Sequence, residues 1–126
     1  ATGIIYVAPG GYHMLLREVA GNIMIHLTQT APINSCRPSA DPMFASISHV
    51  YGRNTLGVVL TGIGADGCEG ARAIADNGGS VIAQDKASSV VYGMPRMVAQ
   101  AGLCEAIVPI DAMAMAIMRR CGLNLA

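Results

Sequence analysis

The run Thr55-Leu56-Gly57-Val58-Val59-Leu60-Thr61 constrains the fold more than any other segment. It carries no charge and shows no alternation of polar and apolar residues, the pattern of a strand covered on both faces. A glycine-rich turn follows, then a helical stretch from about Gly67 to Asn77 with Ile74 and the alanines on one side. Gly78-Gly79 stop that helix, and Ser80–Gln84 supplies a second apolar strand. Strand, turn, helix and strand in this order form a crossover unit, which joins parallel strands and is right-handed. The alternation continues. Pro95–Ala101 reads as a short helix with proline at its start, Ala106–Val108 as a third strand, and Ala112–Cys121 as a Met-rich helix closed by Gly122. The expected class is α/β: a doubly wound, mainly parallel sheet with helices on both faces.

The first third reads differently. Ile4–Ala8 is a β-branched, strand-like run closed by Pro9-Gly10-Gly11. His13–Val19 and Ile23–Leu27 flank Ala20-Gly21-Asn22, which predicts an antiparallel hairpin. Residues from Thr28 to Pro38 form a polar loop. Ser39 is an N-cap for a helix to about Tyr51, with Pro42 tolerated in its first turn and Phe44, Ile47 and Tyr51 facing the core.

At 126 residues the chain holds one domain, residues 1–126. Eight basic residues balance eight acidic ones without a run of either sign, so a nucleic-acid binder with a basic stripe is excluded. Charged residues make up 13%, far too apolar a balance for disorder. No apolar stretch approaches the ~18 residues of a membrane span, and the apolar start lacks the basic lead-in of a signal peptide. A cytoplasmic α/β domain without membrane insertion is expected. Cys36, Cys68, Cys104 and Cys121 lie far apart and predict buried or half-buried free thiols. His13, His26 and His49 are equally scattered, so no metal site is expected and each histidine reads as structural or surface. With 52% hydrophobic residues in so short a chain, part of the apolar surface is expected to be covered by something else. The abrupt opening on a strand-like run, without an initiator Met, fits a piece of a larger domain incomplete at its N-terminus.

The segment Leu60-Thr61-Gly62-Ile63-Gly64-Ala65-Asp66-Gly67-Cys68-Glu69-Gly70 admits three readings. Gly62, Gly64 and Gly67 satisfy a dinucleotide-binding fingerprint between strand and helix, with Asp85 where a ribose-binding acid belongs. Against it, Asp66 places a carboxylate where a pyrophosphate would sit. Asp66-x-x-Glu69 is also a capping-box-like pair, worth about 1 kcal/mol and needing no function. Finally, Asp66 stands beyond the carboxyl end of a parallel strand, where open α/β sheets place their sites, and could orient a catalytic histidine.

Four blocks bear on the choice: Ile5-Tyr6-Val7-Ala8-Pro9-Gly10-x-x-His13-Met14, Arg37-Pro38-Ser39-x-Asp41-x-x-Phe44, Val59-Leu60-Thr61-Gly62-Ile63-Gly64-x-Asp66-Gly67, and Ala83-Gln84-Asp85-x-x-Ser88-Ser89-Val90-Val91-Tyr92-Gly93-Met94-Pro95. In this order and spacing, from Ile4 to about Ile117, the chain resembles the catalytic domain of chemotaxis receptor protein-glutamate methylesterases of the CheB type. The resemblance implies a doubly wound α/β domain, usually preceded by a phosphorylatable receiver domain. It also implies hydrolysis of glutamate methyl esters on chemoreceptors and deamidation of receptor glutamines by a Ser-His-Asp triad, with no metal or organic cofactor. Asp66 matches the triad Asp. The backbone N–H of Ile63 is implied as an oxyanion donor, and Gly62, Gly64 and Met94 as support around the cleft.

The family Ser stands in a G-A-S-T-G-G-type turn and the His in a Q-H-M-P-type block, and neither occurs in this sequence. The chain is therefore expected to be the C-terminal two-thirds of such a domain and inactive by itself. Its expected partners are the methylated cytoplasmic helices of chemoreceptors and the receiver domain of the same parent protein. The other two readings are a dinucleotide-binding module on Gly62, Gly64, Gly67 and Asp85, and a non-catalytic receptor-binding fragment. Arg37 is assigned either to acidic receptor sites or to an ion pair with Asp41. Tyr92, Met94, Met113, Met115 and Met118 are packing residues by default.

Overall fold

A computed structural model describes residues 2–123. Its centre is a three-stranded parallel sheet of β3 (Leu56–Val59), β4 (Ser80–Gln84) and β5 (Ala106–Val108), ordered β3-β4-β5. Val58 pairs with Ile82, and Ile82 with Ala106. Alternation along β4 sorts its side chains between two layers. Val81 and Ala83 join Val59 in a core with Phe44 of α1 (Ala40–Tyr51), Ala71 and Ile74 of α2 (Cys68–Asp76) and Val98 of α3 (Met94–Gln100). Ile82 turns the other way and lines a shallow groove with Ala106, Val108 and Ala116 of α4 (Ile110–Arg120). Helices thus lie on both faces of a parallel sheet, as the alternating pattern predicts.

The run 55–61 is shorter as a strand than its composition suggests. Only Gly57 and Val59 of β3 are buried, and Leu60 is exposed. The strand covered on both faces is β4, where the successive side chains of Val81, Ile82, Ala83 and Gln84 are all buried. Gly57 exists for a different reason: a Cβ there would stand 2.7 Å from Ile74 Cδ1, so α2 rests directly on the strand backbone. After α2, Gly78 (φ +83) reverses the chain. Its N–H reaches Ala75 O and that of Gly79 reaches Ile74 O, a Schellman closure.

The hairpin forms as predicted, from β1 (His13–Val19) and β2 (Asn22–Thr28). Ala20 and Gly21 both take positive φ, the turn whose twist suits two-residue hairpins. β1 packs on α1, where Ser46 Oγ accepts the Leu16 N–H at 3.0 Å. In α1 the buried line is Asp41, Phe44 and Ser48, whereas Tyr51 is exposed and Ile47 half-buried. The apolar spacing misplaced that face because two polar residues are drawn inside by hydrogen bonds.

Ile4–Ala8 is not a strand. The segment has no ladder partner among the described residues, and Ile5 and Val7 are 92% and 84% exposed. β-propensity reflects fit to a pleated, half-buried surface, and here the segment has no such surface to join. Of the four thiols, Cys121 is exposed, contrary to expectation, while Cys68 is buried and Cys36 and Cys104 are intermediate. Met113 fills core, but Met115 faces outward. Among the described residues no helix is long and apolar enough to cross a membrane.

Candidate active site

Two buried carboxylates meet where the N-termini of α1 and α2 approach. Asp41, in the first turn of α1, accepts the Gly67 N–H at 2.9 Å and the Gly70 N–H at 2.8 Å on Oδ1. Asp66, just before α2, accepts the Ala40 N–H at 2.7 Å on Oδ2. Each helix is therefore capped by a carboxylate belonging to the other, and each charge sits at the positive end of a helix dipole. Close approach makes this possible. A Cβ on Gly70 would lie 2.6 Å from Phe44 Cβ and 2.9 Å from Asp41 O, so only glycine lets the two helices come this near.

Side chains complete the network. Ser39 Oγ donates to Asp66 Oδ1 at 2.5 Å and accepts the Asp41 N–H at 3.2 Å, the latter being the predicted N-cap bond. Asn34 Nδ2 bridges the carboxylates, donating to Asp41 Oδ2 at 2.6 Å and to Asp66 Oδ1 at 3.1 Å. Asp66 is only 6% exposed. Burial pushes its carboxyl group up, but donation from Ser39, Ala40 and Asn34 outweighs that, aided by the nearby Asp41 N–H whose own bond goes to Ser39 Oγ, and its pKa lies below the ordinary carboxylate value. The group is an anion at neutral pH.

His13 belongs to the same region but not to any catalytic relay. It is 1% exposed; its Nδ1 accepts the Ser39 N–H at 3.2 Å, which leaves Nε2–H to donate to Ala31 O at 3.0 Å. Ser39, His13 and Asp66 are thus neighbours wired in the wrong order for a triad, since the Ser39 hydroxyl proton goes directly to Asp66. The structural reading of His13 holds.

Beyond β3 the backbone turns tightly through Gly62, Ile63 and Gly64, and a second loop clamps it. Thr61 Oγ1 accepts the Val91 N–H at 2.8 Å and donates to Val91 O at 3.0 Å, while Gly62 N–H also reaches Val91 O at 3.0 Å. Gly62 O in turn accepts from Gly93 and Met94 N–H at 3.1 and 2.9 Å. Gln84 Oε1 holds the Thr61 N–H at 2.8 Å. A Cβ on Gly93 would stand 2.6 Å from Gly62 O, so that glycine is required by contact with the turn. Met94 packs beneath, against Gly62 and Gly67. Ile63 sits at the apex, 82% exposed, and its N–H has no partner among the described residues. The structure brings Gly62, Ile63 and Gly64 together in one turn, with Met94 of α3 packed against it and Asp66 at its far end.

Several expectations fail here on physical grounds. The N-cap of α2 is Gly67, with no side-chain cap bond. Asp66 and Glu69 form no capping box, because Asp66 caps α1 instead. The dinucleotide reading fails for a related reason. The Gly67 and Gly70 N–H groups that would meet a pyrophosphate are held by Asp41, an anion already in place. Asp85, assigned to the ribose, accepts the Ser88 N–H at 3.0 Å and the Ser88 hydroxyl at 2.6 Å, within its own turn. Arg37 makes no ion pair with Asp41; its guanidinium donates to Gln29 O and Thr30 O at 3.3 and 3.5 Å. Asp41 and Asn34 were missed as members of this centre. For Asp41 the signal was present in the Arg37-Pro38-Ser39-x-Asp41 block, but contacts 26 to 32 residues apart cannot be read from local spacing.

Fold and site together define a class: a parallel α/β domain presenting a buried, ionised carboxylate and a clamped glycine turn beyond the carboxyl end of a strand. Residues 1–117 match the family model described as CheB methylesterase, and the chain belongs to that family. It is 56% identical over 110 residues to the protein-glutamate methylesterase/protein-glutamine glutaminase 2 of Caulobacter vibrioides, covering 86% of this chain and 32% of that protein. Against protein-glutamate methylesterase/protein-glutamine glutaminase 1 of Rhodospirillum rubrum the identity is 49% over 117 residues, or 93% of this chain and 30% of the relative. The crystal structure of the Thermotoga maritima CheB methylesterase catalytic domain matches with a TM-score of 0.87 at 34% identity, over 90% of this chain and 60% of that one. The chain spans about a third of the length of the curated relatives it matches.

Proposed function

We propose that this chain forms part of the catalytic domain of a protein-glutamate methylesterase and glutaminase, and that Asp66 is the carboxylate of its Ser-His-Asp triad. The observation that carries the reading is a carboxylate buried yet held ionised beyond β3, with acceptor capacity left on Oδ2. A carboxylate offers about four lone-pair positions, and three are filled by Ser39, Asn34 and Ala40. The fourth suits the Nδ1–H of a catalytic imidazole.

In that role Asp66 orients the histidine and stabilises its imidazolium. The histidine takes the proton of the attacking serine, then returns it to the leaving methanol, or to ammonia when a glutamine is deamidated. Water then cleaves the acyl-serine by the same route. The free Ile63 N–H is a donor for the oxyanion that develops at the attacked carbonyl. Substrates are glutamyl methyl esters and glutamines on the cytoplasmic helices of chemoreceptors, and a receiver domain regulates the parent protein. The serine and histidine come from a segment outside residues 1–126, so the chain by itself is inactive.

The test is complementation. The portion of the Caulobacter vibrioides relative that precedes the matched region is joined to this chain, and methanol release from methylated receptor is followed. The chain alone is expected to give no release above background, and the joined protein to be active. Asp66→Asn in the joined protein should cut turnover by up to ~10⁴-fold with the fold intact. Substantial hydrolysis by the chain alone, abolished by changing one of its own serines, would overturn the reading.

A further inference from the structure

The donors around Asp66 are shared unevenly between its two oxygens. Oδ1 receives Ser39 Oγ–H at 2.5 Å and Asn34 Nδ2–H at 3.1 Å, whereas Oδ2 receives only the Ala40 N–H at 2.7 Å. With two in-plane lone pairs on each oxygen, Oδ1 is full and Oδ2 is not. Both side-chain donors are themselves fixed. Ser39 is 2% exposed, its N–H is held by His13 and its Oγ accepts from Asp41 N–H. Asn34 sits at φ +53, a region asparagine tolerates better than most residues, and its Nδ2 also donates to Asp41 Oδ2. Asp41 is in turn anchored by the Gly67 and Gly70 N–H groups.

We infer that Ser39 and Asn34 are positioning residues for the hydrolysis: by filling Oδ1 they stop the Asp66 carboxylate from rotating and reserve Oδ2 for the imidazole. The inference rests on Asp66 being the triad carboxylate. It adds that the angle at which Asp66 meets the histidine is set from the loop before α1, 27 to 32 residues away in sequence. Ser39 is consequently no nucleophile, because its only proton is committed to Asp66.

The joined methylesterase described above decides the matter through Ser39→Ala and Asn34→Gly, glycine being free to keep positive φ. Each change is expected to lower kcat between roughly ten- and a hundredfold, as a misaligned catalytic group does, while KM stays put. In an Asp66→Asn background the same changes should have no further effect on kcat, since no carboxylate remains to be aimed. In the 126-residue chain, the carboxyl ¹³C titration of Asp66 should move upward in both variants. Ser39→Gly, which keeps an acceptable N-cap, replaces Ser39→Ala if the latter does not fold. Full turnover by Asp66→Asn would remove the triad reading and this inference with it. If Asp66→Asn is crippled but Ser39→Ala and Asn34→Gly keep full kcat, or lower it by the same factor in both backgrounds, the positioning role alone is overturned.

Discussion

A carboxylate as deeply buried as Asp66 must either lose its charge or be ringed by donors, and the ring formed here has a measurable consequence. Its folded pKa lies below the ordinary value of 3.8, because hydrogen bonds outweigh burial. The unfolded chain therefore binds the proton more readily than the folded one. Asp66 contributes stability that is fully present above the ordinary carboxylate value and is lost as pH falls through the folded pKa. Urea midpoints measured from neutral pH down past 3.8 should show wild type losing a component of stability that Asp66→Asn never has. Parallel curves for the two proteins would contradict the assignment. His13 offers a second check at the same scale. Its bonds require the Nε2–H tautomer, which ¹⁵N shifts of the imidazole should report directly; the Nδ1–H form would mean that Ser39 is held some other way.

At the scale of elements, the crossing of α1 and α2 depends on reciprocal capping and on one glycine. Gly70→Ala would drive a methyl group into Phe44 Cβ and the Asp41 backbone, neither of which can swing aside. Overpacking of this kind costs about 1–3 kcal/mol, occasionally more, and a thermal melt should show it despite alanine's better helix propensity. Asp41→Ala should cost at least as much, because it strands the Gly67 and Gly70 N–H groups at a buried helix end. Asp41→Asn, which keeps an acceptor, should cost less. Equal melting temperatures for Asp41→Ala and Asp41→Asn would show that the cross-cap contributes little.

Over the whole molecule the notable quantity is apolar surface. Ile5, Val7, Ile63 and Val90 are each more than four-fifths exposed, and β3 has an unpaired edge among the described residues. An open parallel edge invites pairing, and exposed apolar side chains favour being covered. The isolated chain is expected to bind an apolar dye and to self-associate as its concentration rises, and both effects should fall when the preceding portion of a relative is joined to it. Clean monomeric sedimentation with little dye binding would show that the exposed surface needs no cover.

Much of this was legible locally. The β3–α2–β4 crossover, the hairpin turn at Ala20-Gly21, the Ser39 cap and the Gly78 stop each follow from a few adjacent residues whose backbone preferences leave little choice. The glycine turn at 62–64 and the position of Asp66 beyond a strand were readable for the same reason. What Asp66 touches was not. Its partners come from residues 34, 39 and 40, and only the approach of two helices over Gly70 brings them together. Local pattern left Asp66 open between a cap on its own helix and a catalytic carboxylate, and it read Ile4–Ala8 as a strand. The tertiary structure gave Asp66 to the neighbouring helix and left Ile4–Ala8 without a ladder partner among the described residues, because caps and ladders are completed by groups distant in sequence, and no propensity of the residue itself specifies which groups those are.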